Sequence, residues 1–117
     1  MPAIAAKPRC SAIDGDTLRC GRERIRLIGI DAPEMPGHCR PGRLCAVGDP
    51  FASRDSLANA LFAPIVIERV GRDRYGRTLA FVSAGGEDLS CVQLRRGQAR
   101  YRPDWDVGNR VGRCQGR

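Results

Sequence analysis

Short runs of alternating apolar and polar residues predict a mostly β protein. The pattern predicts five strands, at residues 9–14, 17–20, 24–30, 64–70 and 78–83. The first two flank Gly15 in an Asp-Gly pair, which favours the tight turns that join antiparallel strands. A second turn at Gly21 leads into the third strand, so we expect the first three strands to form a meander. Gly29 interrupts the third strand, and a glycine there predicts a bulge or a close backbone approach.

Two segments predict helices. Asp49 is a good N-cap and Pro50 fits a first turn. Apolar residues then recur at helical spacing, at Phe51, Leu57, Ala58, Leu61 and Phe62. Asp88 predicts the cap of a second, short helix over residues 89–96, which ends at Gly97. We expect the three phenylalanines Phe51, Phe62 and Phe81 to pack in the core.

This order of elements predicts the fold class. Five strands with a helix between the third and the fourth are typical of an OB-fold, a small Greek-key barrel. We therefore expect a mainly β protein with some α structure, a five-stranded barrel with two or three short helices. The length fits a single domain over residues 1–117, with an irregular tail at 102–117.

The charge balance favours a polyanionic partner. Twenty basic against thirteen acidic side chains give a net charge of +7. The alternative is that this charge only maintains solubility. No apolar run approaches the roughly 20 residues of a membrane span, so we expect a soluble protein, and the first ten residues lack the apolar segment of a signal peptide.

The chain has six cysteines and no C-x2-C pair, which favours disulfides over a zinc site. Of the fifteen possible pairings we favour Cys39 with Cys45, Cys10 with Cys20, and Cys91 with Cys114. Disulfides persist in oxidising compartments. We therefore expect a secreted or periplasmic protein.

Three aspartates stand where strands end. Asp14 and Asp16 bracket Gly15 in the first hairpin, and Asp31 ends the third strand of the same meander. Their carboxylates can converge, and an all-oxygen cluster suits a hard cation such as calcium. The alternative for Asp14 and Asp16 is turn chemistry, since aspartate is common in turns.

Two arginines and a glutamate add the parts that phosphodiester cleavage requires. Guanidiniums such as those of Arg26 and Arg77 grip phosphate oxygens in bidentate fashion. A carboxylate such as that of Glu34 can orient or deprotonate a water molecule. The alternatives are an exposed barrel position for Arg26 and a merely basic turn for Arg77.

Three motifs resemble the signatures of the staphylococcal nuclease family, over about residues 9–101. They are IDGDT at 13–17, RLIGIDAPE at 26–34 and DRYGR at 73–77. The resemblance implies that calcium is bound by Asp16, Asp31 and the backbone carbonyl of Ala32, with Asp14 supporting the ion from outside its direct ligands. It also implies roles at the substrate: Arg26 and Arg77 hold the scissile phosphate, Glu34 acts on the water, and Tyr75 contacts a substrate phosphate.

The implied activity is calcium-dependent, sugar-nonspecific hydrolysis of DNA and RNA that leaves 3′-phosphate ends. We expect a monomeric endonuclease that prefers single strands. Arg40 and Arg43 are expected to extend the nucleic-acid track, whereas His38 is expected to be an exposed loop residue. The sequence departs from the family at Ala32, where threonine is common, and after the last helix, where Trp105 is the nearest aromatic residue.

Two other functions remain open at this stage. One is a catalytically inactive module of the same fold that binds nucleic acid or protein. Such a module would be expected to lack one of five charged site residues: Asp16, Arg26, Asp31, Glu34 and Arg77. The other is an OB-fold binder of single strands, which should carry several exposed aromatic residues on its strands. The chain retains all five charged residues and has only six aromatic residues of the Phe, Trp and Tyr types.

Overall fold

A computed structural model describes residues 9–62 and 64–114 of the chain. The expectation that the first ten residues lack the apolar segment of a signal peptide falls mostly on residues 1–8, which lie outside the described residues. The end of the predicted tail, residues 115–117, also lies outside them.

The predicted strands and helices are present, with shorter strands between them. The strands are β1 (Cys10–Asp14), β2 (Thr17–Cys20), β3 (Glu23–Leu27), β4 (Ile30–Asp31), β5 (Ile65–Arg72), β6 (Thr78–Ala84), β7 (Glu87–Asp88) and β8 (Arg100–Tyr101). The helices are α1 (Pro50–Asn59) and α2 (Leu89–Arg95). Two single 3-10 turns, Pro103–Trp105 and Gly112–Cys114, lie in the tail that the sequence predicts as irregular.

The main sheet is mixed. Its order is β1-β2-β3-β6-β5, with β7 paired to β6, and β4 pairs with β8 in a separate two-stranded ladder. The predicted meander is confirmed, because β1, β2 and β3 pair antiparallel in sequence order. The parallel pairing of β3 with β6 brings the second half of the chain beside the first. Among the described residues β1 and β5 are the ends of this order, so the hydrogen-bonded sheet is open there.

The third predicted strand is broken at Gly29, which separates β3 from β4. Gly29 has a φ of 83°, and a Cβ placed on it would lie 3.0 Å from the Cβ of Val111. The close approach predicted for Gly29 is therefore confirmed. Val111 is fully buried, so the tail packs directly on the end of β3.

The core lies between the sheet and the two helices. Its fully buried apolar side chains are Leu18, Ile25, Leu27, Ile30, Leu57, Leu89, Val82 and Val111.

Both predicted N-caps are confirmed, because Asp49 accepts from the N–H of Phe51 at 2.9 Å and Asp88 accepts from that of Cys91 at 3.1 Å.

The prediction of three core phenylalanines is wrong for two of them. Phe81 is buried, but Phe51 is 49% and Phe62 is 84% exposed. The face of α1 that packs inward carries Ser53 and Leu57 instead. Phe62 follows the end of the helix, so helical spacing does not place it.

All three favoured disulfides are present: Cys10–Cys20, Cys39–Cys45 and Cys91–Cys114. The first joins paired residues of β1 and β2. The last ties α2 to the tail that carries Val111. These cross-links are compatible with an extracellular or periplasmic compartment. In the described part of the chain, no helix is long and apolar enough to cross a membrane.

Candidate active site

The turn between β1 and β2 positions Asp16. Its side chain is almost fully buried and accepts hydrogen bonds from the Ala32 N–H at 2.8 Å and the Thr17 hydroxyl at 2.9 Å. Gly15 lets the turn pack on α1, because a Cβ there would lie 1.8 Å from the hydroxyl oxygen of Ser53. The turn therefore joins Asp16 to the end of β4.

Arg26 on β3 is the centre of the cluster. It is 7% exposed, and its Nη1 donates to the carbonyls of Leu27 and Ile30 at 3.0 and 2.9 Å. Its Nη2 lies 3.3 Å from the Oδ2 of Asp16 and 3.7 Å from the Oδ1 of Asp31. The exposed position considered for Arg26 is thus wrong, and this buried charge is compensated by two carboxylates.

Asp31 is surrounded by guanidiniums. The carboxylate, 1% exposed, is approached by Arg43 at 3.4 Å, Arg100 at 3.0 Å and Arg102 at 3.9 Å, in addition to Arg26. A buried carboxylate with several cationic partners is fixed in position by them.

Glu34 lies just beyond β4, with a side chain that is 10% exposed. Its Oε1 accepts from the Nη1 of Arg43 at 2.6 Å. Burial raises the pKa of Glu34, and the neighbouring aspartates act in the same direction, against the charge of Arg43. A raised pKa makes this carboxylate a better proton acceptor than an exposed one.

Asp14 has different partners from Asp16. It accepts from the Met35 N–H at 2.8 Å, and the Nδ1 of His38 lies 2.9 Å from its Oδ1. His38 is in an exposed loop, as predicted, yet it pairs with a buried carboxylate. Asp14 thereby connects the first hairpin to the segment that follows Glu34.

Arg77 and Tyr75 are held by the turn between β5 and β6. The Nε of Arg77 donates to Asp73 at 2.7 Å, and the N–H groups of Tyr75 and Arg77 both donate to the other oxygen of Asp73 at 2.9 Å. Burial acts to raise the pKa of Asp73, but these hydrogen bonds outweigh it and lower the pKa. A hydrogen bond from Arg74 lowers the pKa of Tyr75.

One cavity of about 880 Å³ brings most of these residues together. Its lining includes the predicted site residues Asp14, Arg26, Glu34, Tyr75 and Arg77. Asp16 and Asp31 are buried behind this surface, where they meet Arg26. Trp105 forms another part of the wall, with the guanidinium carbon of Arg102 3.9 Å and that of Arg26 5.2 Å from its ring centre.

The donor set fits a hard cation at one position. Asp16 and Asp31 share a single cationic nitrogen of Arg26, so their carboxylates already converge on one positive charge, and both offer only oxygen. Among the described residues, a different group, Glu34 with Cys39 and Cys45, has potential ligand atoms that all lie within 4.8 Å of one another. That group is no metal site, because the two cysteines form a disulfide.

Sequence reasoning missed the arginines that contact Asp31. Arg43 was expected only in a nucleic-acid track, and Arg100 and Arg102 were assigned no role. Arg100 pairs with Asp31 across the β4–β8 ladder. No local motif marks such a contact, because it depends on the pairing of two-residue strands that lie far apart in the chain.

The fold and this cluster define a small mixed-sheet protein with a buried arginine–aspartate site facing an open cavity. Residues 24–111 match the family described as "Staphylococcal nuclease homologue", and the chain belongs to that family. The matched region contains Arg26, Asp31, Glu34 and Arg77.

The relatives include two thermonucleases, which agrees with this assignment. The chain is 34% identical to a thermonuclease of Staphylococcus intermedius, over 75% of this chain and 54% of that protein. It is 31% identical to a thermonuclease of Staphylococcus hyicus, over 88% of this chain and 64% of that protein. It is 36% identical to the succinoglycan biosynthesis protein ExoI of Rhizobium meliloti, over 83% of this chain and 54% of that protein. The chain thus spans about half to two thirds of the length of these relatives.

Proposed function

We propose that the protein is a calcium-dependent, sugar-nonspecific nuclease that hydrolyses phosphodiester bonds of DNA and RNA and leaves 3′-phosphate ends. One observation carries the proposal. Arg26 contacts both Asp16 and Asp31, and it lines the same cavity as Glu34 and Arg77. A cation site, two phosphate-binding guanidiniums and a carboxylate base are the parts that this reaction needs.

The proposed roles are those that the family resemblance implies, and these positions support them. Arg26 and Arg77 hold the scissile phosphate and neutralise charge that grows on its oxygens. Glu34 orients or deprotonates the attacking water, a role that its burial and raised pKa support. Tyr75 contacts a neighbouring substrate phosphate.

Calcium would be held by Asp16, Asp31 and the backbone carbonyl of Ala32, with Asp14 outside the direct ligands. When bound, the ion neutralises charge on the phosphate and favours ionised water. The pairing of Asp31 with Arg43 and Arg100 competes with any cation at this position. We therefore expect modest calcium affinity.

The proposed substrate form is a single strand. Arginines surround the cavity, and the aromatic side chains of Trp105 and Tyr75 line its wall. Binding should weaken with salt, with a log–log slope of about 0.7 per phosphate contacted. We further propose a monomer of one domain over residues 1–117, with an OB-fold barrel, secreted or periplasmic in location.

A second candidate is a module of the same fold that binds nucleic acid without cleaving it. The guanidiniums around Asp31 favour this candidate, because they pair with both oxygens of a carboxylate that would otherwise be free to bind a metal ion. The two candidates differ in turnover and share the basic cavity.

A cleavage assay separates them. A single-stranded oligonucleotide incubated with the protein and calcium should be cut to products with 3′-phosphate ends, and EDTA should stop the reaction. The variant Glu34→Gln should retain binding and lose turnover by about 10²- to 10⁴-fold. Arg95→Ala, which removes a surface partner of Glu87, is the matched control and should cleave normally. Binding without any cleavage above the EDTA control would favour the inactive module.

A further inference from the structure

The loop that follows Glu34 is closed covalently and lies against the site. Cys39 and Cys45 form its disulfide, with Cα atoms 6.2 Å apart. The residues between them are largely exposed. Glu34, in contrast, is nearly buried, so a mostly solvated loop meets a shielded carboxylate.

Arg43 makes the contact between this loop and the acidic residues. Its Nη1 lies 2.6 Å from the Oε1 of Glu34, and its Nη2 lies 3.4 Å from the Oδ1 of Asp31. One rigid guanidinium therefore spans the proposed base and a proposed calcium ligand. A planar fork of this kind fixes the separation and the relative angle of the two carboxylates it joins.

The disulfide itself touches the same glutamate. The Sγ of Cys45 lies 3.5 Å from the Oε2 of Glu34, so both carboxylate oxygens face the loop. Arg43 lies two residues from Cys45, inside the closed ring. Closing so short a loop removes most of its freedom, which keeps the backbone of Arg43 within reach of Glu34.

A second contact holds the loop on the other side of the cavity. The guanidinium carbon of Arg40 lies 3.4 Å from the centre of the Tyr75 ring, in cation–π geometry. The loop is thus attached to the carboxylates through Arg43 and to the turn between β5 and β6 through Arg40.

We propose that Arg43 is a positioning residue for Glu34, and that the Cys39–Cys45 disulfide holds Arg43 in that position. The inference rests on the proposed nuclease function. Arg43 is the cationic side chain that contacts Glu34 in the described residues. Without it, Glu34 is left beside Asp31 with no bond that fixes its rotamer, and the attacking water is held less well. In the proposed function the scissile phosphate is held by Arg26 and Arg77, so the contact between Arg43 and Glu34 does not bind that phosphate.

The expected kinetic effect is therefore on turnover. Arg43→Ala should lower kcat about 10- to 100-fold, the usual cost of losing an outer partner of a catalytic group, with KM nearly unchanged. Arg43→Lys should recover part of kcat, because it restores one charged donor to Glu34. Arg95→Ala, the control from a surface ion pair, should keep both constants.

A double-mutant cycle tests the link to the disulfide. Replacing Cys39 and Cys45 by serine should lower kcat several-fold, and the variant that combines these changes with Arg43→Ala should have the kcat of Arg43→Ala alone. The Cys10→Ser and Cys20→Ser pair removes a different disulfide and should leave kcat unchanged below its melting temperature. Additive losses, or an Arg43→Ala enzyme with the kcat of the wild type, would overturn the proposal.

Hydrogen exchange separates failure of this inference from failure of the nuclease proposal. In protein without metal or nucleic acid, Arg43→Ala should speed exchange over residues 34–45, whereas Arg95→Ala should not. Unchanged exchange overturns the positioning role even in an active enzyme. Faster exchange in a protein whose wild type cleaves nothing overturns the nuclease function, and Arg43 then only orders the loop around Glu34.

Discussion

Arg26 shows how single side chains build the site. It lies within an apolar strand, yet its guanidinium is satisfied by the carbonyls of Leu27 and Ile30 and by two carboxylates. A buried charge is tolerated only with such partners. The geometry of Arg26 therefore depends on Asp16 and Asp31, and theirs depends on Arg26.

The substitution Arg26→Lys tests this dependence. Lysine cannot reproduce the planar fork, so at least one buried carbonyl loses its donor. We expect the free energy of unfolding to fall by about 1–3 kcal/mol and turnover to fall far more than in Arg95→Lys. Urea unfolding and steady-state cleavage measure the two effects. Wild-type values for both would show that Arg26 needs no bidentate geometry.

The sequence predicted that Arg26 lies near Asp16 and Asp31, because the motifs that carry these residues are local. It did not assign Arg100 or Arg102 to the site. Their approach to Asp31 depends on β8 pairing with β4 and on the path of the tail. Contacts between distant two-residue strands leave no periodic pattern for a sequence to display.

The first hairpin and α1 form the packing unit that fixes the Asp14–Asp16 turn. Gly15 sits against Ser53, and the buried side chain of Gln93 donates to the carbonyls of Gly15 and Ser53 at 2.8 and 2.9 Å. The hydroxyl of Ser56 in turn donates to the side-chain amide oxygen Oε1 of Gln93 at 2.7 Å. Both helices therefore support the turn that carries Asp16.

The substitution Gly15→Ala should disrupt this contact. The new Cβ would lie 1.8 Å from the Ser53 hydroxyl oxygen and 2.8 Å from its Cβ, so α1 or the turn must move, at a cost of about 1–3 kcal/mol. Ser53→Gly removes both atoms and costs about 1 kcal/mol as a helical glycine. The double variant should therefore be more stable than the sum of the single changes predicts, as measured by thermal unfolding. Strict additivity would mean that the clash is relieved without cost.

Helix positions were easier to predict than helix faces. The caps Asp49 and Asp88 determine where α1 and α2 begin, and both are local signals. The inward face of α1 is set by its partner instead. Because Gly15 leaves room for Ser53, a small polar residue is buried there and Phe51 remains half exposed.

Across the protein, ion pairs between strands add to the disulfides. The carboxylate of Glu23 on β3 accepts hydrogen bonds from Nη2 and Nε of Arg69 on β5 at 2.6 and 2.8 Å. It also accepts one from the hydroxyl of Thr78 on β6 at 2.7 Å. The hydrogen bond from Arg69, followed by that from Thr78, lowers the pKa of Glu23 to about 2. Glu23 thus joins three strands of the main sheet.

The lowered pKa gives a pH dependence of stability with a definite sign. Because the pKa of Glu23 falls from 4.5 to about 2 on folding, its contribution is complete above pH 4.5 and is lost as the pH falls toward 2. Exposure screens the pair, so we expect Glu23→Gln to cost only about 0.2–1 kcal/mol at pH 7. Urea unfolding of both proteins across this pH range should show the difference shrinking on acidification. A difference that is constant with pH would contradict the assignment.

We propose that Asp16 and Asp31 bind the calcium ion required for cleavage. This is tested by measuring the cleavage rate as a function of calcium concentration for the wild type and for Asp16→Asn. Removing one ligand charge should raise the half-saturating calcium concentration at least about tenfold, because carboxylate charge sets affinity at such sites. Arg95→Ala should follow the wild-type curve. Identical curves for the wild type and Asp16→Asn would place the ion elsewhere and contradict the proposed site.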